Sequence, residues 1–89
     1  MQEFAKLFKA LGNEKRAKIL LLLKSGDRLP VKEIAKRVGM SLKAASKHLI
    51  FFDHHSILDK KRKGETVLYF RTETPSKIGR IIYKILDEF

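Results

Sequence analysis

Residues 31–52, which read VKEIAKRVGMSLKAASKHLIFF, decide the fold. The first eight carry apolar side chains at the spacing of one helical face, and Gly39 then suits the left-handed residue that closes a helix. Ser41 is a good N-cap for a second helix. The inward face of this second helix is predicted to be Leu42, Ala45, Leu49 and Phe52. Two helices joined by the short turn 39–41 form a helix-turn-helix.

The outward side of the second helix is small and cationic. Lys43 and Lys47 lie one turn apart on the same side. Such a helix can enter the major groove of duplex DNA and approach the base edges closely. The DNA-contacting residues predicted here are Ser41, Lys43, Ala44, Ser46, Lys47 and His48. For His48, a local structural hydrogen bond is an equal alternative to a groove or phosphate contact.

A basic hairpin follows the helix-turn-helix within residues 57–71. Ile57-Leu58 and Val67–Phe70 are short runs of β-branched, aliphatic and aromatic residues, which predict two strands. Between them lies a flexible basic tip, with Gly64 for the tight turn. Four adjacent cations in this tip are predicted to contact DNA phosphates: Lys60, Lys61, Arg62 and Lys63. The hairpin would then act as a wing beside the second helix.

Apolar stripes in the terminal segments, 1–11 and 76–89, predict two dimerisation helices. The stripe of the last helix is wide for an element that only caps an 89-residue chain, so we expect a homodimer. The predicted interface residues are Phe4, Leu7, Phe8, Leu11, Ile78, Ile81, Ile82, Ile85 and Phe89. With a further helix N-capped by Asn13 and a connector at 27–30, the prediction is one mostly α domain over 1–89. It has about five helices and a small two-stranded β-hairpin, the winged helix-turn-helix architecture.

The charge balance predicts a polyanionic partner. Twenty Lys and Arg residues against ten Asp and Glu leave a formal net charge of +10, and a small basic domain most often binds nucleic acid. From charge alone, a lysine-rich solvated surface is the alternative. The longest apolar run is residues 19–23, far short of the ~20 residues that span a bilayer. No signal-peptide pattern opens the chain, so we expect a cytoplasmic protein without membrane contact.

Metal and catalytic chemistry are poorly supported. The chain has no cysteine, which removes disulfides, thiolate metal sites and Cys nucleophiles. His54 and His55 are adjacent on a helix and are expected to point to different sides, without a carboxylate-rich partner set. No Ser has a defined base partner, and no Gly-rich phosphate loop is present. We therefore predict no enzyme activity, no cofactor and no metal site.

A second class of function stays open at this point. Winged helices also serve as modules for protein–protein or RNA-associated interaction, because a fold does not determine a function. In that case Ile50 and Phe51 could form an apolar surface that binds a partner, whereas Lys43 and Lys47 favour a DNA-binding function.

Residues 4 to about 71 resemble the ArsR-type winged helix-turn-helix repressors. The similar segments are Leu7–Arg16 with Ile19-Leu20, Val31–Ala35, the Ser-x-His-Leu signature at Ser46–Leu49, and Val67–Phe70 at the end of the wing. The resemblance implies a dimeric DNA-binding transcriptional regulator whose first and last helices form much of the interface. We thus predict a sequence-specific regulator of double-stranded DNA, acting as a repressor; the residues identify no inducer.

The chain departs from that family at three places. Pro30-Val31-Lys32 stands where the family's thiolate sensors have Cys-Val-Cys, and residues 76–89 contain no His for the metal site on the last helix. The resemblance therefore does not extend to either metal site. Ser56 stands where the family usually has Gly after the recognition helix. If this residue is left-handed, Ser costs about 1 kcal/mol relative to Gly.

Overall fold

The computed structural model describes Ala5, Lys9 and residues 12–89. Over this part the chain forms four helices, α1 (Glu14–Leu22), α2 (Val31–Val38), α3 (Leu42–His54) and α4 (Lys77–Leu86), and three strands, β1 (Leu29–Pro30), β2 (Leu58–Lys63) and β3 (Thr66–Arg71). This is the winged helix-turn-helix arrangement, with α2 and α3 as the helix pair and β2–β3 as the wing. The predicted first helix and its stripe, Phe4, Leu7, Phe8 and Leu11, lie outside the described residues.

The helix-turn-helix has the caps that the sequence predicts. Gly39 ends α2 in the left-handed conformation, with φ 79°, and its amide donates to the Ala35 carbonyl. The Ser41 hydroxyl oxygen accepts from the Ala44 amide at 3.1 Å and so caps α3. In α1, the Asn13 side chain accepts from the first free amides of the helix, as predicted. Lys15 donates to the Gly39 carbonyl at 3.0 Å, which ties α1 to the turn.

The sheet has three antiparallel strands in the order β1-β3-β2, which corrects the predicted two-stranded hairpin. Residues 27–30 were expected to be a connector, but Leu29 pairs with Tyr69 and Pro30 with Leu68. Proline is tolerated there because β1 is an edge strand. Two residues are too few to show strand alternation, so this strand depends on β3 for its existence.

The predicted basic tip is also wrong in its position. Strand β2 continues to Lys63, and the turn consists of Gly64, with φ 65°, and Glu65. Lys60 pairs with Tyr69 and Lys63 with Thr66, so the four cations lie within the strand ladder. Successive side chains of a strand point to opposite faces. The wing cations are therefore held by the ladder and divided between two faces.

The core lies between the helices and the inner face of the sheet. Its largest fully buried side chains are Ile19, Leu20, Leu23, Ile34, Leu49, Phe52, Ile57 and Ile82. Leu42 was predicted to face inward with Leu49, but it is 55% exposed. Residues seven positions apart share a helix face, yet Leu42 is the first residue of α3 and lies two turns nearer the N-terminus than the fully buried Leu49. Periodicity indicates direction around a helix and not how far its neighbours extend along it.

Helix α4 has two apolar faces instead of one stripe. The buried face consists of Ile78, Gly79, Ile82, Tyr83 and Leu86. Ile81 and Ile85 are more than one third exposed, and the terminal Phe89 is almost fully exposed. Ile78 and Ile82, which were predicted to lie in a dimer interface, belong to the core of the subunit. Of the residues described, no helix has the length and apolarity to cross a membrane.

Tyr83 fastens the buried face of α4 to the sheet. Its hydroxyl donates to the Ile57 carbonyl and accepts from the Thr72 amide at 3.0 Å. Burial raises the pKa of Tyr83 above its usual range. Arg71 stacks over the Tyr83 ring at 4.1 Å and forms a bidentate pair with Asp87 at 2.8 and 2.9 Å. Both contacts join the end of β3 to α4.

The exit of α3 is formed by Ser56, which is the one non-glycine residue with positive φ, 52°, in the described part of the chain. The Ser56 carbonyl accepts from the Ser76 amide at 3.0 Å, at the start of α4. A Cβ on Gly79 would lie 3.0 Å from that carbonyl and 2.9 Å from the Pro75 Cβ. The absence of a side chain at Gly79 therefore permits this close approach.

Replacement of Ser56 by glycine should stabilise the protein. Ser56→Gly removes the steric cost of a left-handed side chain, and this gain is partly offset by the greater backbone freedom of glycine in the unfolded state. We expect the free energy of unfolding to rise by about 0.5–1 kcal/mol in urea titrations. The control is Ser25→Gly at an exposed turn position without positive φ, which should lower it. Equal losses in both variants would contradict this account.

Candidate nucleic-acid interface

The exposed side of α3 presents two lysines. Lys43 and Lys47 are exposed, the first turn of the helix contains no acidic residue, and within the described part of the chain neither lysine forms a salt bridge. Ser41 at the N-cap is also exposed, whereas Ala44, Ser46 and His48 are half-buried. Three of the six predicted helix contacts are therefore openly accessible, and the other three lie at the edges of the exposed face.

Two exposed aliphatic side chains share this side of α3. Leu42 is 55% and Ile50 is 58% exposed. Sequence reasoning missed Leu42 as a surface residue because it fits the inward heptad position. It is the first residue of the helix, next to the N-cap, and so belongs to the end of the helix that approaches base edges in this motif.

His48 makes the local structural hydrogen bond that was the alternative to a DNA contact. Its Nδ1 accepts from Nε of Arg16 at 3.0 Å. The Arg16 guanidinium also stacks over the Phe51 ring at 4.1 Å and donates to the Lys9 carbonyl at 2.7 Å. Arg16 thus braces α3 from the side of α1. No local sequence signal could have identified it, since 32 positions separate Arg16 from His48.

The Arg16 contact determines the protonation state of His48. An imidazole nitrogen that accepts a hydrogen bond carries no proton, so the ring is neutral with its proton on Nε2. Burial lowers the pKa of His48, and the positive charge of Arg16 lowers it further. The folded protein therefore favours a neutral His48.

The wing contributes cations on the other side of α3. The Lys60 ammonium lies 3.3 Å from the Asp53 carboxylate near the end of that helix, so Lys60 is engaged within the protein. The other three predicted wing cations, Lys61, Arg62 and Lys63, are exposed and have no ion pair among the residues described. These three remain available for phosphates, and the Asp53–Lys60 pair links the wing to α3.

The histidines do not gather into a metal-binding group. Within residues 12–89 and the two described residues before them, no cluster of three or more His, Cys, Asp or Glu side chains could hold a metal ion. His54 and His55 were expected to point to different sides of the helix, but their rings meet edge to face with centroids 5.0 Å apart.

The fold and this cationic helix define the class of the protein as a winged helix-turn-helix domain of the DNA-binding type, and comparison with known proteins agrees. Residues 13–49 match the family model described as "Winged helix-turn-helix DNA-binding". The transcriptional repressor SdpR of Bacillus subtilis is 35% identical over 63 residues, which cover 71% of this chain and 69% of that protein. The transcriptional activator HlyU of Vibrio cholerae is 32% identical over 71 residues, covering 80% of this chain and 65% of HlyU.

A solved structure extends the likeness to nearly the whole chain. The homodimeric winged helix-turn-helix DNA-binding domain of Mb0332 from Mycobacterium bovis, a possible ArsR-family transcriptional regulator, superimposes with a TM-score of 0.75. It is 26% identical, and the match covers 98% of this chain and 77% of that one. The chain belongs to the ArsR-type winged helix-turn-helix transcriptional regulators. It matches less than two thirds of the length of HlyU.

The Arg16–His48 contact predicts a loss of stability in mild acid. Because the pKa of His48 is lowered in the folded protein, the unfolded chain binds the proton more readily. The contribution of this pKa difference to the free energy of unfolding is complete above the pKa of the unfolded state, about 6.5. It is lost as the pH falls through the lower pKa of the folded state. Urea titrations at pH 7.5 and ~5.5 should therefore show a larger loss for the wild type than for His48→Asn, whose Oδ1 retains an acceptor.

The matched control for this measurement is His54→Asn, which changes an exposed histidine of the same helix and leaves the Arg16 contact intact. Because the Arg16–His48 contact is intact in this variant, its loss of stability over the same pH interval should remain larger than that of His48→Asn. If His48→Asn and the wild type lose the same free energy of unfolding between the two pH values, the titration of His48 makes no contribution to stability.

Proposed function

We propose that this protein is a sequence-specific, double-stranded DNA-binding transcriptional repressor that acts as a homodimer. The observation that carries the proposal is the exposed side of α3, where Lys43 and Lys47 stand one turn apart with no acidic residue in the first turn. A helix of this kind fits the major groove, and its side chains can hydrogen-bond to base edges. The exposed cations of β2 would contact the phosphates beside the helix, and the net charge of +10 favours association with DNA.

Selection from a random duplex pool tests this function directly. Bound sequences should be enriched in an inverted repeat, because a two-fold symmetric dimer presents two identical recognition helices. The selected duplex should resist competition by RNA and heparin at raised salt. If no sequence is enriched and RNA competes as well as the duplex does, the alternative function, a module for protein–protein or RNA-associated interaction, would be favoured.

The wing should supply affinity that does not depend on sequence. Lys61 and Lys63 share one face of β2, whereas Lys60 is engaged by Asp53. In a dimer the double variant Lys61→Ala, Lys63→Ala removes up to four phosphate contacts, so the slope of log K against log salt should become shallower by about 2–4. The loss of affinity should be similar on the selected duplex and on random DNA. Loss of site preference instead would assign base readout to the wing.

The recognition helix should supply specificity. Lys43→Ala or Lys47→Ala should cost ~1–3 kcal/mol on the selected duplex if that lysine reads a guanine, and little on random DNA. Fluorescence anisotropy with both duplexes measures the difference. The matched control is Lys84→Ala, which changes an exposed lysine on α4. It should leave the ratio of the affinities for the selected duplex and for random DNA unchanged. A uniform loss on both duplexes would reverse the assignment of the two elements.

The exposed face of α4 supports self-association. Ile81 and Ile85 lie one turn apart on α4 and form an exposed apolar stripe, and Phe89, beyond the end of the helix, is almost fully exposed. An apolar stripe of this kind is covered at low cost by a second copy of itself across a two-fold axis. The residues of the same helix that were expected to join it, Ile78 and Ile82, are occupied by the core.

Charge in this stripe should separate the subunits without unfolding them. Ile81→Glu or Ile85→Glu would place an unpaired charge in the interface, and we expect monomers with native circular dichroism in sedimentation velocity. Lys36→Glu, at an exposed position on α2, is the control and should remain dimeric. Ile82→Glu buries the charge in the core and should unfold the chain. A wild type that sediments as a monomer at micromolar concentration would exclude the dimer.

A further inference from the structure

Leu42 is an apolar side chain in a polar, cationic setting. It is the first residue of α3, directly after the N-cap Ser41, and more than half of it is exposed. Lys43 follows it in sequence, and Ser46 lies one turn further on. Its side chain has no hydrogen-bonding atom, so on DNA it can contribute only through an apolar contact.

The major groove offers one apolar group to such a side chain. The edges of guanine, adenine and cytosine present hydrogen-bond donors and acceptors, whereas thymine adds its C5 methyl group. The N-terminal residues of a recognition helix are those that contact the base edges. Leu42 therefore stands at the end of α3 where a thymine methyl would come within reach.

The exposed aliphatic residues of α3 do not form a continuous patch for a protein partner. Leu42 and Ile50 are eight positions apart, which separates them by on the order of 12 Å along the helix. The half-buried, polar Ser46 lies between them, and Lys43 and Lys47 lie beside them. A protein-docking surface is normally a contiguous apolar area. A single leucine among lysines is suited to the major groove, where one thymine methyl group lies among phosphates and polar base edges.

We propose that Leu42 is a specificity-determining residue that recognises the C5 methyl group of a thymine in each half-site. This inference rests on the proposed DNA-binding function and deepens it. Leu42 adds a methyl contact to the polar contacts of Lys43 and Lys47, so the preferred half-site contains a thymine at one fixed position. Deoxyuridine, which pairs as thymine does and lacks only the methyl group, is the probe.

The experiment uses the duplex selected by the wild-type protein and replaces its thymines by deoxyuridine, one position at a time in both half-sites. At one position the wild type should lose about fourfold in affinity per methyl group, and on the order of tenfold when both half-sites are changed. Leu42→Ala should bind the thymine and deoxyuridine duplexes equally at that position. Leu21→Ala, an exposed leucine of α1 outside the helix pair, should keep the wild-type ratio.

The outcomes separate this inference from the proposed function. If the wild type selects an inverted repeat but Leu42→Ala shows the same thymine-to-deoxyuridine ratios as the wild type at every position, Leu42 reads no methyl group. A selected half-site without any thymine would also overturn the inference and leave the DNA-binding function standing. If the wild type selects no sequence, both fail together. Leu42→Ala changes an exposed position, and circular dichroism with urea titration should show an unchanged fold.

Discussion

The position of the recognition helix, α3, depends on the backbone conformation at Ser56, just after the helix ends. This residue adopts a left-handed conformation, and the next amide, that of Ile57, donates back to the Phe52 carbonyl at 2.8 Å. The Ser56 carbonyl accepts from the Ser76 amide, and the Ser76 hydroxyl donates to the His55 carbonyl at 2.8 Å. One turn thus positions the end of α3 against both the start of the wing and the start of α4.

This junction gives the two exposed surfaces of the protein a defined relation. The first turn of α4 packs on the Ser56 carbonyl through Gly79, where a Cβ would be too close to the backbone. The same helix carries the exposed stripe that we propose as the dimer contact. A partner seated on α4 would therefore set the separation of the two recognition helices, which is the quantity that determines half-site spacing. Close backbone packing is well suited to this task, because packed interiors do not deform continuously.

Side-chain contacts brace α3 on both flanks and leave its outer side free. On one flank, Arg16 bonds to His48 and stacks on Phe51; on the other, Lys60 of the wing pairs with Asp53. Two residues predicted to touch DNA, His48 and Lys60, are thus engaged in holding the reading helix. A rigid helix is what base readout requires, whereas phosphate contacts tolerate less accurate placement.

The sequence by itself determined the helix-turn-helix, the order of the described helices and the two wing strands, and the class of protein. Asn13, Gly39 and Ser41 mark helix ends through bonds to residues at most four positions away, and such bonds need no knowledge of the rest of the chain. The local pattern also predicted a hairpin with four cations after the recognition helix, although it assigned these cations to the tip and not to the strand. Tertiary structure alone decided how those elements are used, through contacts that span many positions.

Three features of the structure were settled only by these distant contacts. Strand β1 exists because β3 pairs with it, and the two faces of α4 differ because only one of them meets the core. Leu42 has the same apolar chemistry and helical phase as Leu49, yet one is exposed and the other is fully buried. The periodicity of a sequence records where a side chain points around its own helix. Whether anything stands in that direction depends on the packing of residues far along the chain.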